Sequence, residues 1–384
     1  MIDFGPWSTT LAFGMGFGLA VALLLLATRR NRAANVLLAG VLVVVSLKLA
    51  PYMLGFAGYY DAYPWLSFAP TSFGLALGPL LWLHVQRLTT GRLPASAGWH
   101  LLPGALQAAY YLVLFPLPQA DKDDFAVHVD GPWIDPLETW LELASLAVYL
   151  VLAWRQHRRY QAWLDQTFSN REQFRLDGLL QVLLTWLAVL PVWAGFELAS
   201  ALGSYDYFQR YPLYFGLTLL LAWLGLQGWR NAALDYPVPT DAPPPGPQAP
   251  PAPTATVGAA SPASERDWAA SGNRWRDQLA AAGWWRDPEL SLPRLAQHLG
   301  TNTHYLSRAF NEGLGQSFND VINALRVQAV REALDGPSPP ADLLALALSV
   351  GFNAKSSFNR VFKAQTGLTP SAYRARAGAR GAKS

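Results

Sequence analysis

The sequence predicts an all-α protein in two parts: a polytopic helical membrane domain of seven transmembrane helices, and a small all-α domain at the carboxyl end. Three observations predict it. Before residue 231, seven apolar runs follow one another, each near the roughly 20 residues that span a hydrocarbon core. After residue 284, a pattern of short helix, tight turn and short helix occurs twice. Between them lies a stretch dominated by Pro and Ala. Composition agrees, since 52% of the 384 residues are hydrophobic and only 14% charged, where a soluble protein carries about 25% charged residues. The expected divisions are a membrane domain over 1–235, a linker over 236–265, a helical domain over 266–378 and a basic tail over 379–384.

The apolar runs fall at Thr9–Ala27, Val36–Phe56, Leu66–Val85, Leu101–Leu117, Leu137–Trp154, Leu179–Leu202 and Tyr211–Leu226. Any one of them fits a buried helix of a soluble protein; seven in series with so few charges do not. Asp3 precedes the first run and Arg29, Arg30 and Arg32 follow it. That reverses the charge order of a cleaved signal peptide, so the run reads as an anchor.

Basic residues in alternate connections set the orientation. Arg29, Arg30, Arg32, Arg87, Arg92, Arg155, Arg158, Arg159, Arg171, Arg175 and Arg230 fall on one side. The other side has Lys122 and Arg210, with the acidic Asp121, Asp123, Asp124, Asp130 and Asp135. The expected topology puts the amino terminus outside and the carboxyl-terminal domain in the cytoplasm, as a multi-pass protein of the inner (cytoplasmic) membrane. Trp7, Trp65, Trp99, Trp133, Trp154 and Trp229 lie near run ends, as an interfacial aromatic belt requires.

Ionisable groups inside apolar runs are expensive and point to function. Lys48 falls midway along the second run, Glu142 in the fifth and Glu197 in the sixth. We expect Lys48 to pair with one of these carboxylates in an outward-facing cavity that binds a signal, a purely structural ion pair being the alternative. Pro79 and Pro191 are candidate kinks that open room for a ligand.

From Pro237 to Pro262 the chain is almost uncharged and rich in Pro and Ala, as in APPPGPQAPPAP. Such a segment cannot build a core. As a semi-stiff tether at about 3.1 Å per residue it spans up to roughly 80 Å. Signal transfer through it is expected to act by association of the membrane parts, which changes the effective concentration of the tethered units for one another. Cleavage of the linker is the rival mechanism.

In the carboxyl-terminal domain, Leu292, Leu295, Ala296 and Leu299 recur at helical spacing. Gly300 ends that helix, and Asn302 caps a second helix carrying Tyr305, Leu306 and Phe310 on its inner side. Leu343, Leu346, Ala347 and Val350 repeat the first helix, Gly351 the turn, and Phe358, Val361 and Phe362 the inner face of the next. Between the copies, Ser317–Asp335 reads as an amphipathic rod with Phe318, Val321, Ile322, Leu325 and Ala329 on one face. A rod of that length measures roughly 28 Å and, with flanking turns, approaches the roughly 34 Å between successive major-groove faces of DNA. Charge supports a polyanionic partner: from Ser264 on there are 15 Lys+Arg against 10 Asp+Glu, and no acidic residue follows Asp342.

These residues resemble the AraC/XylS-type transcription regulators, whose DNA-binding unit is a double helix-turn-helix. The resemblance is carried by GFNAKSSFNRVFKAQTGLTPSAYR (Gly351–Arg374), LAQHLGTNTHYLSRAF (Leu295–Phe310) and SFNDVINALRVQAVREAL (Ser317–Leu334), about the last hundred residues. Ala354 departs from the pattern, standing where the family usually has a capping Ser or Asp, and leaves the cap to Asn353. With apolar positions assigned inward, Thr303, His304, Ser307, Arg308 and Asn311 remain on the first outer helix, and Lys355, Ser356, Asn359, Arg360 and Lys363 on the second. The resemblance implies that positions early in each helix read bases. Thr303, His304, Ser307, Lys355, Ser356 and Asn359 are assigned to bases, and Arg308, Arg360 and Lys363 mainly to phosphates. Arg308 and Arg360 also fit bonds within the domain. Trp284, Trp285 and Tyr373 are assigned to packing.

The function expected is therefore a membrane-bound one-component transcription regulator. A transporter or channel with a DNA-binding regulatory tail is the second reading, and a membrane enzyme with an adaptor tail the third. No catalytic constellation is found. The chain has no Cys, which excludes disulfides, thiolate metal sites and cysteine nucleophiles. His84, His100, His128 and His157 are scattered without ligand spacing, and the seventh run lacks the Schiff-base lysine of a retinal photoreceptor. No cofactor or metal is expected. The expected partners are double-stranded DNA, a lipid bilayer, a small-molecule or membrane-borne signal, and a second copy of the chain in a candidate homodimer.

Overall fold

The computed structural model describes residues 2–168, 177–203, 207–234, 236–239, 267–336 and 339–381. Every regular element among them is helical. The chain divides into two compact units, one of Met1–Arg159 with Leu176–Pro239, the other of Tyr160–Arg175 with Thr240–Ser384. The Pro/Ala linker from residue 240 onward, Arg171 and Arg175 of the charge asymmetry, and the end of the basic tail lie outside the described residues.

The main helices of the first unit are α1 (Pro6–Ala27), α2 (Arg32–Phe56), α3 (Leu77–Thr90), α4 (Ala97–Leu114), α5 (Asp135–Thr167, counted with the second unit from Tyr160 on), α6 (Asp177–Ala201) and α7 (Tyr211–Asn231). Among the described residues four helices are long and apolar enough to cross a membrane: Pro6–Ala27, Arg32–Phe56, the continuous stretch Gln119–Thr167 that contains α5, and Gly178–Ala201. The expected third, fourth and seventh runs correspond to α3, α4 and α7, which are helical but fall short in length or apolarity.

The third run differs most from expectation, because its helix begins only at Leu77. Pro70 and Gly74 break the first half, which is bounded by two short 3₁₀ turns, Pro64–Leu66 and Gly74–Ala76. Irregular backbone is tolerated inside an apolar body where polar groups satisfy it, and here they do. The amide of Leu75 donates to Gln107 Oε1 at 2.9 Å. Pro79 consequently lies in the first turn of α3, where proline is accommodated without a kink. Pro51 and Pro191 are the prolines inside α2 and α6.

Helix α2 is central, with 67% of its apolar window buried, against 28% for α6. Small residues bring α1 close to its neighbours: a Cβ on Gly14 would collide with Thr218 of α7, and one on Gly18 with Ser46 of α2 and Leu221 of α7. Small residues four apart let the helix backbones approach closely there. The turn between α1 and α2 holds the chain just past the end of α7. Asn31 Nδ2 donates to the carbonyl of Leu234 at 2.5 Å and Asn35 Nδ2 to that of Ala232 at 3.2 Å. Away from these contacts the unit presents large apolar side chains outward, among them Phe13 at 74% exposure, Val113 at 68% and Leu106 at 61%.

The second unit has its own core, in which Leu295, Phe310, Ile322, Ala347, Phe358 and Phe362 are buried. Its helices are α8 (Trp268–Ala282), α9 (Leu292–His298), α10 (Thr303–Arg308), α11 (Phe318–Asp335), α12 (Leu343–Ser349), α13 (Lys355–Thr366) and α14 (Pro370–Gly381). Among its described residues only Tyr305, Leu344 and Leu348 are large hydrophobics left exposed. The first unit, by contrast, leaves many large apolar side chains exposed.

Candidate nucleic-acid interface

Each outer helix is positioned by a local device. In the first copy, Leu292, Leu295 and Ala296 anchor α9. The chain turns at Gly300, and Asn302 Oδ1 accepts from the Tyr305 amide at 2.8 Å to start α10. Leu306 and Phe310 are buried, so the helix is seated by one face. Past Arg308 it continues as a π-helical turn, Ala309–Gly313.

The rod α11 is nucleated by a capping box, in which Ser317 Oγ accepts from the Asp320 amide and Asp320 returns the bond to the Ser317 amide. Its 18 residues make a spacer of about 27 Å. In the second copy Asp342 Oδ1 accepts from the amides of Leu344 and Ala345. The Ala354 side chain supplies no bond to α13. Phe358, Val361 and Phe362 are buried, which turns Lys355, Ser356, Asn359, Arg360 and Lys363 to the exposed side.

The rod is tied to the segment ahead of the first copy, and set against the turn of the second, by one residue that periodicity had not singled out. Arg326 is fully buried in α11. Its Nε donates to the Trp285 carbonyl at 2.8 Å and its Nη2 to that of Asp287 at 2.9 Å, while the guanidinium lies 5.6 Å from the centroid of the Phe352 ring. Burial pushes this guanidinium down to about 10, against a smaller opposing effect of Asp287. Gly351 completes the junction: at φ +93° a Cβ would meet the Arg286 carbonyl oxygen at 2.6 Å.

On the first outer helix, His304 and Asn311 are exposed, and Thr303, Ser307 and Arg308 partly so. Asn311 Nδ2 donates to Ser307 Oγ at 3.1 Å. Arg308 is engaged within its own helix, its Nε and Nη2 donating to Glu312 at 3.0 and 2.9 Å, and it lies 4.7 Å from the Trp268 ring centroid. The shared bonds raise the Arg308 guanidinium and hold the Glu312 carboxyl below its usual range. Tyr305, expected on the inner side, is 37% exposed and packs against Trp268. The early outer surface of α10 therefore includes a tyrosine. Its phenolic tip is the signal that separates it from Leu306.

The residues assigned to packing do pack. Trp285 is in the core, Trp284 stacks on His298 at 4.7 Å, and Tyr373 meets Phe362 edge-on while its hydroxyl donates to Asp335 at 2.9 Å. Arg374, counted in the basic end, donates to the Ala341 carbonyl at 2.6 Å.

In the first unit, Lys48 Nζ lies 2.6 Å from Glu142 Oε2, with the Glu142 side chain 3% exposed. Glu197 faces the same cavity but takes Arg210 at 3.8 Å and accepts from Trp193 Nε1 at 3.2 Å. Among the described residues no group of His, Asp or Glu is arranged to hold a metal ion.

Residues 295–376 match a family described as "Helix-turn-helix domain". An uncharacterised HTH-type transcriptional regulator of Staphylococcus aureus strain COL is 35% identical over 86 residues, 22% of this chain and 11% of that protein. A second, from strain N315, gives the same figures. The HTH-type transcriptional activator AarP of Providencia stuartii is 32% identical over 85 residues, 22% of this chain and 62% of AarP. The chain thus spans about a tenth of the length of the staphylococcal relatives. No solved structure matches the chain. The carboxyl-terminal unit carries an AraC-type helix-turn-helix domain, the DNA-binding module of transcription regulators.

Proposed function

We propose that the chain is a membrane-embedded one-component transcription regulator: seven spans sense a signal, and the double helix-turn-helix binds promoter DNA on the cytoplasmic side. One observation carries this reading. A DNA-binding domain that keeps its large apolar side chains covered shares a chain with a helical unit that turns them outward. Four apolar helices of crossing length support the membrane assignment. The amino terminus is outside and the chain is not an enzyme. The regulator relatives do not favour a transporter with a regulatory tail.

At the DNA, the exposed Lys355, Ser356 and Asn359 of α13, with Thr303, His304 and Ser307 of α10, face base edges, and Arg360 and Lys363 hold phosphates. The pair Lys48–Glu142 and the cavity around it form the sensing site. Mapping genomic sites bound by the intact protein tests the reading, together with a topology reporter fused after Ser384. Discrete promoter sites and a cytoplasmic reporter are expected; an external reporter or binding without sequence preference overturns it. In a promoter-fusion assay, Lys48→Met abolishes the response while leaving DNA affinity intact.

A further inference from the structure

The sensing cavity has a chemistry that narrows its ligand. Its volume is about 300 Å³, at the small end of ligand sites. Five carboxylates line it, Asp130, Asp135, Glu138, Glu142 and Glu197, against two cations, Lys48 and Arg210. Lys48 is taken by Glu142 and Arg210 by Glu197. The acid left over is concentrated on one wall. There Asp130 accepts from the Tyr110 hydroxyl at 2.5 Å, and Glu138 accepts from Gln107 Nε2 at 2.6 Å and from the Tyr111 hydroxyl at 3.0 Å. Neutral donors orient these carboxylates without cancelling their charge.

Three further observations point the same way. Tyr52, Tyr60, Tyr111, Tyr214 and Phe68 supply an aromatic part of the wall, and aromatic rings attract a desolvated cation. The site already holds an ammonium: Lys48 Nζ sits between the Glu142 carboxylate and the Trp193 ring, 4.7 Å from its centroid. Among the described residues no group of carboxylates is arranged to hold a metal ion, which disfavours a divalent ion. Resting on the sensing role given to this cavity, we propose that its ligand is a small organic cation, an amine or quaternary ammonium whose charge is met by Asp130, Asp135 and Glu138.

The test is tryptophan-fluorescence titration of the full-length protein in lipid nanodiscs with alkyl- and arylalkylammonium ions, reading phenethylamine against the isosteric phenethyl alcohol and against 3-phenylpropionate. Saturable binding of the amines is expected, with the alcohol at least tenfold weaker, a difference of about 1.4 kcal/mol, and no binding of the carboxylate. Glu138→Gln, which keeps the side chain's volume, weakens the amines by a similar factor, and millimolar Mg²⁺ does not compete. Equal binding of amine and alcohol, no saturable amine binding, or affinity indifferent to Glu138→Gln overturns the ligand class. A promoter-fusion assay separates this from the sensing role. Amine binding with no transcriptional effect sinks the role and leaves the class standing. A Lys48-dependent response without amine binding does the reverse.

Discussion

Arg326 and Trp285 are joined by a hydrogen bond from the guanidinium Nε to the backbone carbonyl at 2.8 Å, and both residues are buried. With the second bond to Asp287, this one side chain ties the rod between the two copies to the segment that precedes the first. On the proposed reading, in which two helices meet adjacent turns of a duplex, a bond that holds the rod in place would contribute to DNA binding without touching DNA.

Arg326→Ala is therefore expected to destabilise the carboxyl-terminal unit by about 3 kcal/mol, because two buried carbonyls lose a charged donor and a cavity opens. Arg326→Lys retains a charge but cannot reach both carbonyls, and falls between. Amide hydrogen exchange of the full-length protein, read over 285–290 and 318–335, checks it. Unchanged protection in Arg326→Ala refutes the tying role.

Gly351→Ala places a methyl group against the Arg286 carbonyl at a backbone conformation L residues rarely adopt. A loss of about 2 to 4 kcal/mol is expected, seen as lowered promoter occupancy at 37 °C that recovers on cooling.

On the proposed reading, the outer face of α13 makes two kinds of contact. Lys363→Ala should weaken binding evenly across sequences and reduce the slope of log affinity against log salt by about one, whereas Asn359→Ala should cost about 1 to 3 kcal/mol at particular base pairs only. Gel shifts on specific and random duplexes across a salt series decide. Equal losses on both duplexes for both variants overturn the division.

The Arg308–Glu312 pair carries a pH signature. Because the Glu312 carboxyl is held below its usual 4.5 in the folded state, its stabilising effect is fully present above that value and is lost as pH falls through the lowered one. Acid titration of α10 amide shifts by NMR should show this loss, and Glu312→Gln should abolish it. At neutral pH the same variant frees Arg308, so non-specific DNA affinity rises and its salt slope steepens.

What could be read in advance was what depends on neighbours in sequence. Leu292, Leu295 and Ala296, the turn at Gly300, the Asn302 cap and the apolar face of α13 follow from periodicity and capping, and the structure places them so; on α11, Phe318, Val321 and Ile322 are buried as expected, while Leu325 and Ala329 are only partly so and Val327, Val330 and Leu334 complete the buried stripe. Arg326 escaped because its partners are backbone groups some forty residues away, which no local pattern encodes. The clue was its place on the buried stripe, four residues from both Ile322 and Val330. The third apolar run misled because hydropathy averages over Pro70 and Gly74. The polar groups that support the broken backbone come from other helices. Exposure of Lys355, Ser356, Asn359, Arg360 and Lys363 was likewise legible, while the bond that occupies Arg308 was only one of two fates its sequence allowed.

The clasp of Asn31 and Asn35 on the carbonyls of Leu234 and Ala232, just past the end of α7, has a mechanical consequence. That helix begins beside the cavity, where Arg210 and Tyr214 form part of the wall, and its 21 residues make a strut about 31 Å long. Held just past its end, that strut has less freedom to fray, and it makes one continuous element from the cavity wall at Tyr214 to the turn between α1 and α2.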